Sequence, residues 1–260
     1  MREFKITLAQ LQPAFGNVKK NAETMKKAII DAASQQANFV VFPELFLTGY
    51  SVGERLHQLA IRVEESSVLQ QIRKWCKEQQ IGTVFGFPEY AGGTYYISAC
   101  YINEEGKIAS VYRKVHLFSD EKNFFKPGDT FQVFATPFGK MGVLICFDVE
   151  FPEAARTLAI MGAEFIVIIN ANMDPYADYH STYAKSRAME NEVPIIICNR
   201  VGKEGELHFC GESMVIDSAG KILAQMGKEE EIKTATICKD SGRKILNYKA
   251  QRRPEIYLNK

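Results

Sequence analysis

Three apolar runs in this 260-residue chain each end on a reactive side chain: VVFPE on Glu44, SVYRK on Lys114 and GVLIC on Cys146. In open α/β sheets the working crevice lies just past the C-terminal ends of buried strands. A carboxylate, an ammonium and a thiol brought together there are the parts of an acyl-transfer site. Cysteine attacks as the thiolate, and a nearby ammonium lowers the thiol pKa by favouring the charged form. A carboxylate can take the thiol proton and later return one to a leaving amine. The ammonium and backbone N–H groups can then hold the oxyanion of the tetrahedral adduct. Each residue also has a plainer reading. Cys146 suits a core thiol, Glu44 a helix cap or turn residue, and Lys114 a solvated strand end. His116, two positions beyond Lys114, is an alternative base for Cys146 and equally a structural residue.

The elements that must position these groups alternate along the chain. Residues 4–10 read as a strand. Val18, Ala22, Met25, Ile29 and Ala32 then recur at helical spacing. Phe39–Phe42 is a buried strand, Val68, Leu69, Ile72, Trp75 and Cys76 mark a second helix, and Gly82–Phe87 a further strand. Turn signals at Gly92-Gly93, Glu104–Gly106 and Pro127-Gly128 separate strands over 95–102, 107–113 and 131–135. In the second half Met141–Phe147 reads as a strand and Pro152 opens a helix to Met161, with Ala155, Leu158 and Ala159 inward. Phe165–Ile169 and Pro194–Cys198 are strands around a helix near 179–191. Shorter strands follow at 212–217, 222–225 and 232–237, then a basic, polar tail from Gly242. Strands this apolar are covered on both faces, which calls for helices outside and another layer inside. With no linker or composition shift, the expectation is one α/β domain over residues 1–260, its core about 4–240 and its tail about 241–260.

Composition limits the function classes. The chain is 46% hydrophobic and 24% charged, with 18 Gly and 9 Pro, which sets it apart from disordered and low-complexity proteins. Lys+Arg 32 against Asp+Glu 31 leaves +1, giving no field for gripping nucleic acid or an anionic membrane. No apolar run approaches the ~18–20 residues that span a bilayer. The start, MREFKITLAQ, lacks an export signal. The expectation is a soluble, cytoplasmic protein with no nucleic-acid or membrane partner. No two of the six cysteines lie within four positions and no histidines pair as HxxxH, so neither a metal nor a cofactor is expected. Cys100, Cys146, Cys198 and Cys238 lie in or at the end of strand-like runs, where a small buried thiol is common.

The segments around the three reactive residues carry more than the residues alone. VVFPELFLTGY (40–50), YRKVHLF with EKNFFKPGD (112–129) and GVLICFDVEFPEAAR (142–156) resemble the nitrilase, or carbon–nitrogen hydrolase, superfamily in order and spacing. NANMDP (170–175), SRAMENEVPIIICNRVG (186–202) and RRPEIY (252–257) extend the resemblance to the end of the chain. It is similar to the short, amidase-like branch. The resemblance implies a four-layer α-β-β-α sandwich, a homodimer or higher homo-oligomer, and a small-molecule amide substrate. It makes Cys146 the nucleophile, Glu44 the general base, Lys114 the oxyanion stabiliser and Glu121 a second glutamate that positions substrate. The backbone N–H of Phe147 would be the other oxyanion donor. Many members carry Trp where this chain has Met173, at the pocket wall. Asn172, Met173 and Tyr176 are therefore expected around the substrate. The implied activity is hydrolysis of a small linear amide through a cysteine thioester. A nitrilase, a carbamoyl-amide hydrolase and a catalytically silent binding relative are the alternatives.

Overall fold

The computed structural model describes residues 2–238 and 246–257. The first half runs β1 (Phe4–Gln10), α1 (Val18–Ser34), β2 (Phe39–Val41), a one-turn α2 (Leu56–Leu59), α3 (Ser67–Gln79), β3 (Gly82–Ala91), β4 (Thr94–Ile102) and β5 (Ile108–Arg113). The second runs β6 (Val133–Thr136), β7 (Gly139–Ile145), α4 (Pro152–Ile160), β8 (Phe165–Ile169), α5 (Ala177–Asn191) and β9 (Ile195–Cys198). A hairpin, β10 (Val201–Glu204) and β11 (Leu207–Cys210), precedes β12 (Met214–Ile216), β13 (Ile222–Gln225) and β14 (Glu231–Ile237). Among the described residues these strands form two six-stranded sheets, ordered β14-β1-β2-β3-β4-β5 and β13-β12-β9-β8-β7-β6, beside the β10-β11 hairpin. Both sheets have three parallel strands at their centre, β1-β2-β3 and β7-β8-β9, with antiparallel strands outside them.

Alternation along the strands builds the layers. Ile6, Leu8, Phe39, Val41 and Val84 join the apolar residues of β7, β8 and β9 in one continuous core. Their neighbours Ala9, Val40 and Phe85 point the other way, onto Met25, Ile29, Ile72 and Trp75 of α1 and α3. Contacts of β1 with β9, β3 with β8 and β4 with β7 set the sheets face to face, while α4 and α5 pack on β7 and β9. The order is helix, sheet, sheet, helix, the expected four-layer sandwich. Three of the helices, α1, α3 and α4, start where the sequence supplies a cap or a proline. Asn17 accepts from Lys20 N (3.0 Å), Ser66 accepts from Leu69 N (3.3 Å), and Pro152 stands at the start of α4.

Several expected boundaries move. The strand read over Met141–Phe147 ends at Ile145, and Cys146 begins a 3₁₀ turn, Cys146–Glu150. The side chain of Asp148 accepts from Ile145 N (3.0 Å) and so turns the chain. The strand at Phe39 stops at Val41. The one at Gly82 continues through Pro88 to Ala91, because Pro88 presents its carbonyl, and with it its missing N–H, to Ile61 and away from β4. The β10-β11 hairpin and α2 were not anticipated. Cys238 is exposed, not buried, because it follows the edge strand β14. Of the tail, residues 239–245 and 258–260 lie outside the described residues. Within it the Glu192 carboxylate at the end of α5 accepts the backbone N–H groups of Leu246, Asn247 and Tyr248 (2.6, 2.8 and 3.1 Å).

Candidate active site

Glu44 lies just past β2, in a turn that the neighbouring strand makes room for. A Cβ at Gly86 would come within 2.8 Å of Glu44 Cα, so β3 approaches this turn only as glycine. The next residue, Leu45, has a φ of 50°. Glu44 N donates to Asn170 O beyond β8 (3.2 Å), which ties the turn to the second sheet. The Glu44 side chain is fully buried.

Lys114 leaves the end of β5 with its backbone still held, N donating to Ile97 O and O accepting from Gly128 N (2.8 and 2.7 Å). Its ammonium is completely buried, where an unpaired charge would be prohibitive. It donates to Glu44 Oε1 and to both oxygens of Glu121, each at 2.8 Å. Burial works against the charge, but the Glu121 and Glu44 carboxylates outweigh it and hold the Lys114 pKa well above its ordinary value. Glu121 sits in a 3₁₀ turn, Ser119–Asn123, where its side chain also accepts from Phe118 N (2.7 Å). Its Oε1 accepts a further hydrogen bond from the Tyr50 hydroxyl (2.7 Å). Tyr50 was missed in the sequence, although it closes the VVFPELFLTGY segment that contains Glu44. Glu204 of the hairpin fixes it from behind, accepting from Tyr50 N (3.2 Å) and from Ser51 N, and pairing with the buried Arg200 (2.9 Å).

Cys146 has a φ of 45°, a conformation rare for a non-glycine residue and one that turns its side chain out of the β7 direction. Asp148 holds that turn. Its Oδ2 accepts from Ile145 N and the Tyr112 hydroxyl (3.0 and 2.7 Å), and its Oδ1 from His116 N (2.9 Å). Arg187 of α5 closes the far end by donating to the carbonyls of Val149 and Glu150, both at 2.9 Å. The alternative Cys-His pairing does not form. His116 Nδ1 bonds Asp148 Oδ1 (2.8 Å) and its ring stacks on Phe151 (3.8 Å between centroids), so it is part of the scaffold.

The thiol lies against the Glu44 carboxylate, whose Oε2 is buried without a hydrogen-bond partner. Burial and the Glu44 charge push the Cys146 pKa well above its ordinary value, and Lys114 only partly opposes them. Lys114 was expected to win that contest. It does not, because burial of the thiol, with the Glu44 charge added, outweighs the pull of the ammonium. Burial likewise raises the Glu44 pKa, against the pull of Lys114, to about 7. The resting pair is thus a thiol beside a carboxyl group that exchanges its proton near neutrality, the arrangement suited to proton transfer during attack.

A cavity of about 320 Å³ adjoins these groups, with Leu45, Tyr50, Phe118, Glu121, Phe125 and Met173 in its wall. Of the residues expected around substrate, Met173 lines it. Phe147 stands edge-on to Phe118 and Phe151, with centroids 5.2 and 5.1 Å away. Asn172 turns elsewhere, its side-chain amide donating to Tyr176 O (3.1 Å) and its backbone N to Asn199 Oδ1 (2.9 Å). Tyr176 packs its ring edge-on to Phe118 (5.8 Å) and is not part of the cavity wall. Among the described residues no group of three or more His, Cys, Asp or Glu side chains is placed to hold a metal ion, and no helix is long and apolar enough to cross a membrane.

The family model described as "Carbon-nitrogen hydrolase" matches residues 5–245. The chain is 36% identical over 231 residues to a probable nitrilase of Schizosaccharomyces pombe, covering 87% of this chain and 85% of the relative. It is 37% identical over 227 residues to an (R)-stereoselective amidase of Pseudomonas sp, covering 87% and 82%. Its fold superposes on that of an amidase from Nesterenkonia sp. with a TM-score of 0.88 and 27% identity, over 97% of this chain and 94% of that one. A variant of that amidase carries the acetamide moiety of fluoroacetamide added covalently at its active-site cysteine, and another is in complex with butyramide.

Proposed function

The chain belongs to the carbon-nitrogen hydrolase family, and within it we propose an enzyme that hydrolyses small linear amides through a thioester on Cys146. The observation that carries this reading is the buried Lys114 ammonium gripped by Glu44 and Glu121, with the Cys146 thiol against Glu44.

Attack begins as the Cys146 proton passes to Glu44 while Sγ bonds to the amide carbon. The carbonyl oxygen takes up the electron pair and is held by the Lys114 ammonium and the Phe147 N–H. Collapse of the adduct breaks the C–N bond, and Glu44 returns its proton to the departing ammonia. Water then gives a proton to Glu44 and attacks the thioester, and collapse of that second adduct releases the acid and restores the thiol. Glu121 keeps the ammonium in place and, with Tyr50, orients the amide. Met173 contacts the acyl group. Dividing the cleavage into two acyl transfers lets these side chains perform it without a cofactor.

The chain is taken as one catalytic unit that works as a homodimer in the cytoplasm. The exposed Ile160, Met161 and Met189 of the α4 and α5 region support association, and six free cysteines suit a reducing compartment. The test of activity is a panel of primary amides, nitriles and carbamoyl compounds, with ammonia, carbon dioxide and acid measured. One ammonia and one acid per amide consumed, without carbon dioxide, is expected. Turnover confined to nitriles or carbamoyl compounds, or none at all, contradicts the reading.

A further inference from the structure

The cavity beside the Lys114 cluster has an uneven charge. Two carboxylates, Glu121 and Asp120, stand in its wall, while the Lys114 ammonium and Glu44 lie behind Glu121. Lys114 already donates to both glutamates, so its charge is shared between two carboxylates before any substrate arrives. Asp120 lines the cavity, is exposed, and has no ion-pair partner among the described residues. Lys122, on the same turn, is exposed and outside the cavity wall. The rest of the wall is mostly apolar, supplied by Leu45, Phe118, Phe124, Phe125, Met173 and Leu207, with Tyr50, Ser51 and Ser119 as its uncharged polar members.

A carboxylate carried into this space would lose hydration to mostly apolar walls, and the charged groups in those walls, Asp120 and Glu121, are carboxylates. An ammonium would find Asp120 but would still be desolvated by the aromatic lining. An uncharged chain loses nothing polar and covers the walls, at a volume within the usual range for small-molecule pockets. We infer that this cavity takes the acyl group of an uncharged, apolar amide and that Asp120 turns anionic acyl groups away, an inference that rests on the amide-hydrolase reading above. Asp120 is thus a specificity-determining residue, acting by repulsion of the wrong substrate and not by attraction of the right one.

Three amides of similar length separate the possibilities: hexanamide, the monoamide of glutaric acid, and the amide of aminovaleric acid. In the wild-type enzyme kcat/KM for hexanamide should exceed that for the anionic amide by on the order of 100-fold, with the cationic amide between them. Asp120→Asn should narrow the hexanamide-to-anionic ratio by about five- to tenfold, and added salt should narrow it in the wild type. A wild-type preference for either charged amide overturns the inference, as does an Asp120→Asn variant that scales all three substrates by one factor. Turnover of any of the three keeps the amide-hydrolase reading standing while the pocket is judged. If none of the three acylates Cys146, the reading falls and this inference falls with it.

Discussion

Cys146 directly follows β7 and Cys198 ends β9, two parallel strands of the same sheet on either side of β8. Both follow apolar runs, GVLI and PIII, and both are buried. Burial pushes both thiols above their ordinary pKa. Cys198 keeps the strand direction and donates from Sγ to Val41 O (3.1 Å), with no charged side chain acting on it. Cys146 is turned aside by its positive φ, and Glu44, Lys114 and Glu121 all act on it. Strand exit and burial therefore do not distinguish a nucleophile from a core thiol. The backbone turn that Asp148 stabilises, and the base it brings the sulfur to, make the difference.

The largest expected effect separates the two cysteines outright. Cys146→Ala should lower kcat by 10⁴-fold or more, whereas Cys198→Ala should stay within about tenfold of wild type. Steady-state rates on one amide check both, with circular dichroism showing that each variant is folded. Next in size, Lys114→Met keeps much of the side-chain volume but removes the oxyanion charge and leaves Glu44 and Glu121 facing each other. Turnover should fall by roughly 10²–10³-fold, and thiol alkylation at Cys146 should move to still higher pH. Normal activity in this variant would reduce Lys114 to a buried structural cation.

The pH profile sharpens the contrast further. Glu44 is a carboxyl group raised to about 7, so it is protonated and unable to accept the thiol proton below that pH. kcat/KM should rise as pH increases through about 7 and level off above it. Glu44→Gln should abolish that limb along with most of the activity. An acid limb near the ordinary carboxylate pKa would show that Glu44 is not the base. The smallest effect belongs to Tyr50→Phe, which removes the hydroxyl that donates to Glu121 and keeps the ring. About a tenfold loss in kcat is expected, the magnitude of one hydrogen bond to a charged group. A loss that appears only in KM would make Tyr50 a binding residue alone.

Glu44, Lys114 and Cys146 are legible because each comes just past a strand, and strand patterning is a local signal. Glu121 has no such mark. It lies in a polar loop turn, and only the resemblance of EKNFFKPGD picked it out before its bond to Lys114 was seen. Tyr50 closes the segment VVFPELFLTGY, but its contact with Glu121 spans 71 positions and leaves no periodic trace. The turn at Cys146 was read as strand because cysteine has no preference for positive φ, and the conformation is imposed by Asp148, Tyr112 and Arg187 from outside. The β10-β11 hairpin was missed for a similar reason. Its four-residue strands carry Lys203, Glu204 and His208, and what holds Glu204 in place is the buried Arg200 and the backbone at Tyr50.

The most direct test of the account is mass spectrometry of wild-type enzyme quenched during turnover of a simple primary amide. A mass increase equal to the acyl group is expected on the peptide containing Cys146, with its loss once substrate is exhausted. An acyl group on the peptide of Cys198 or Cys210, or turnover with no acylated cysteine at all, would contradict it.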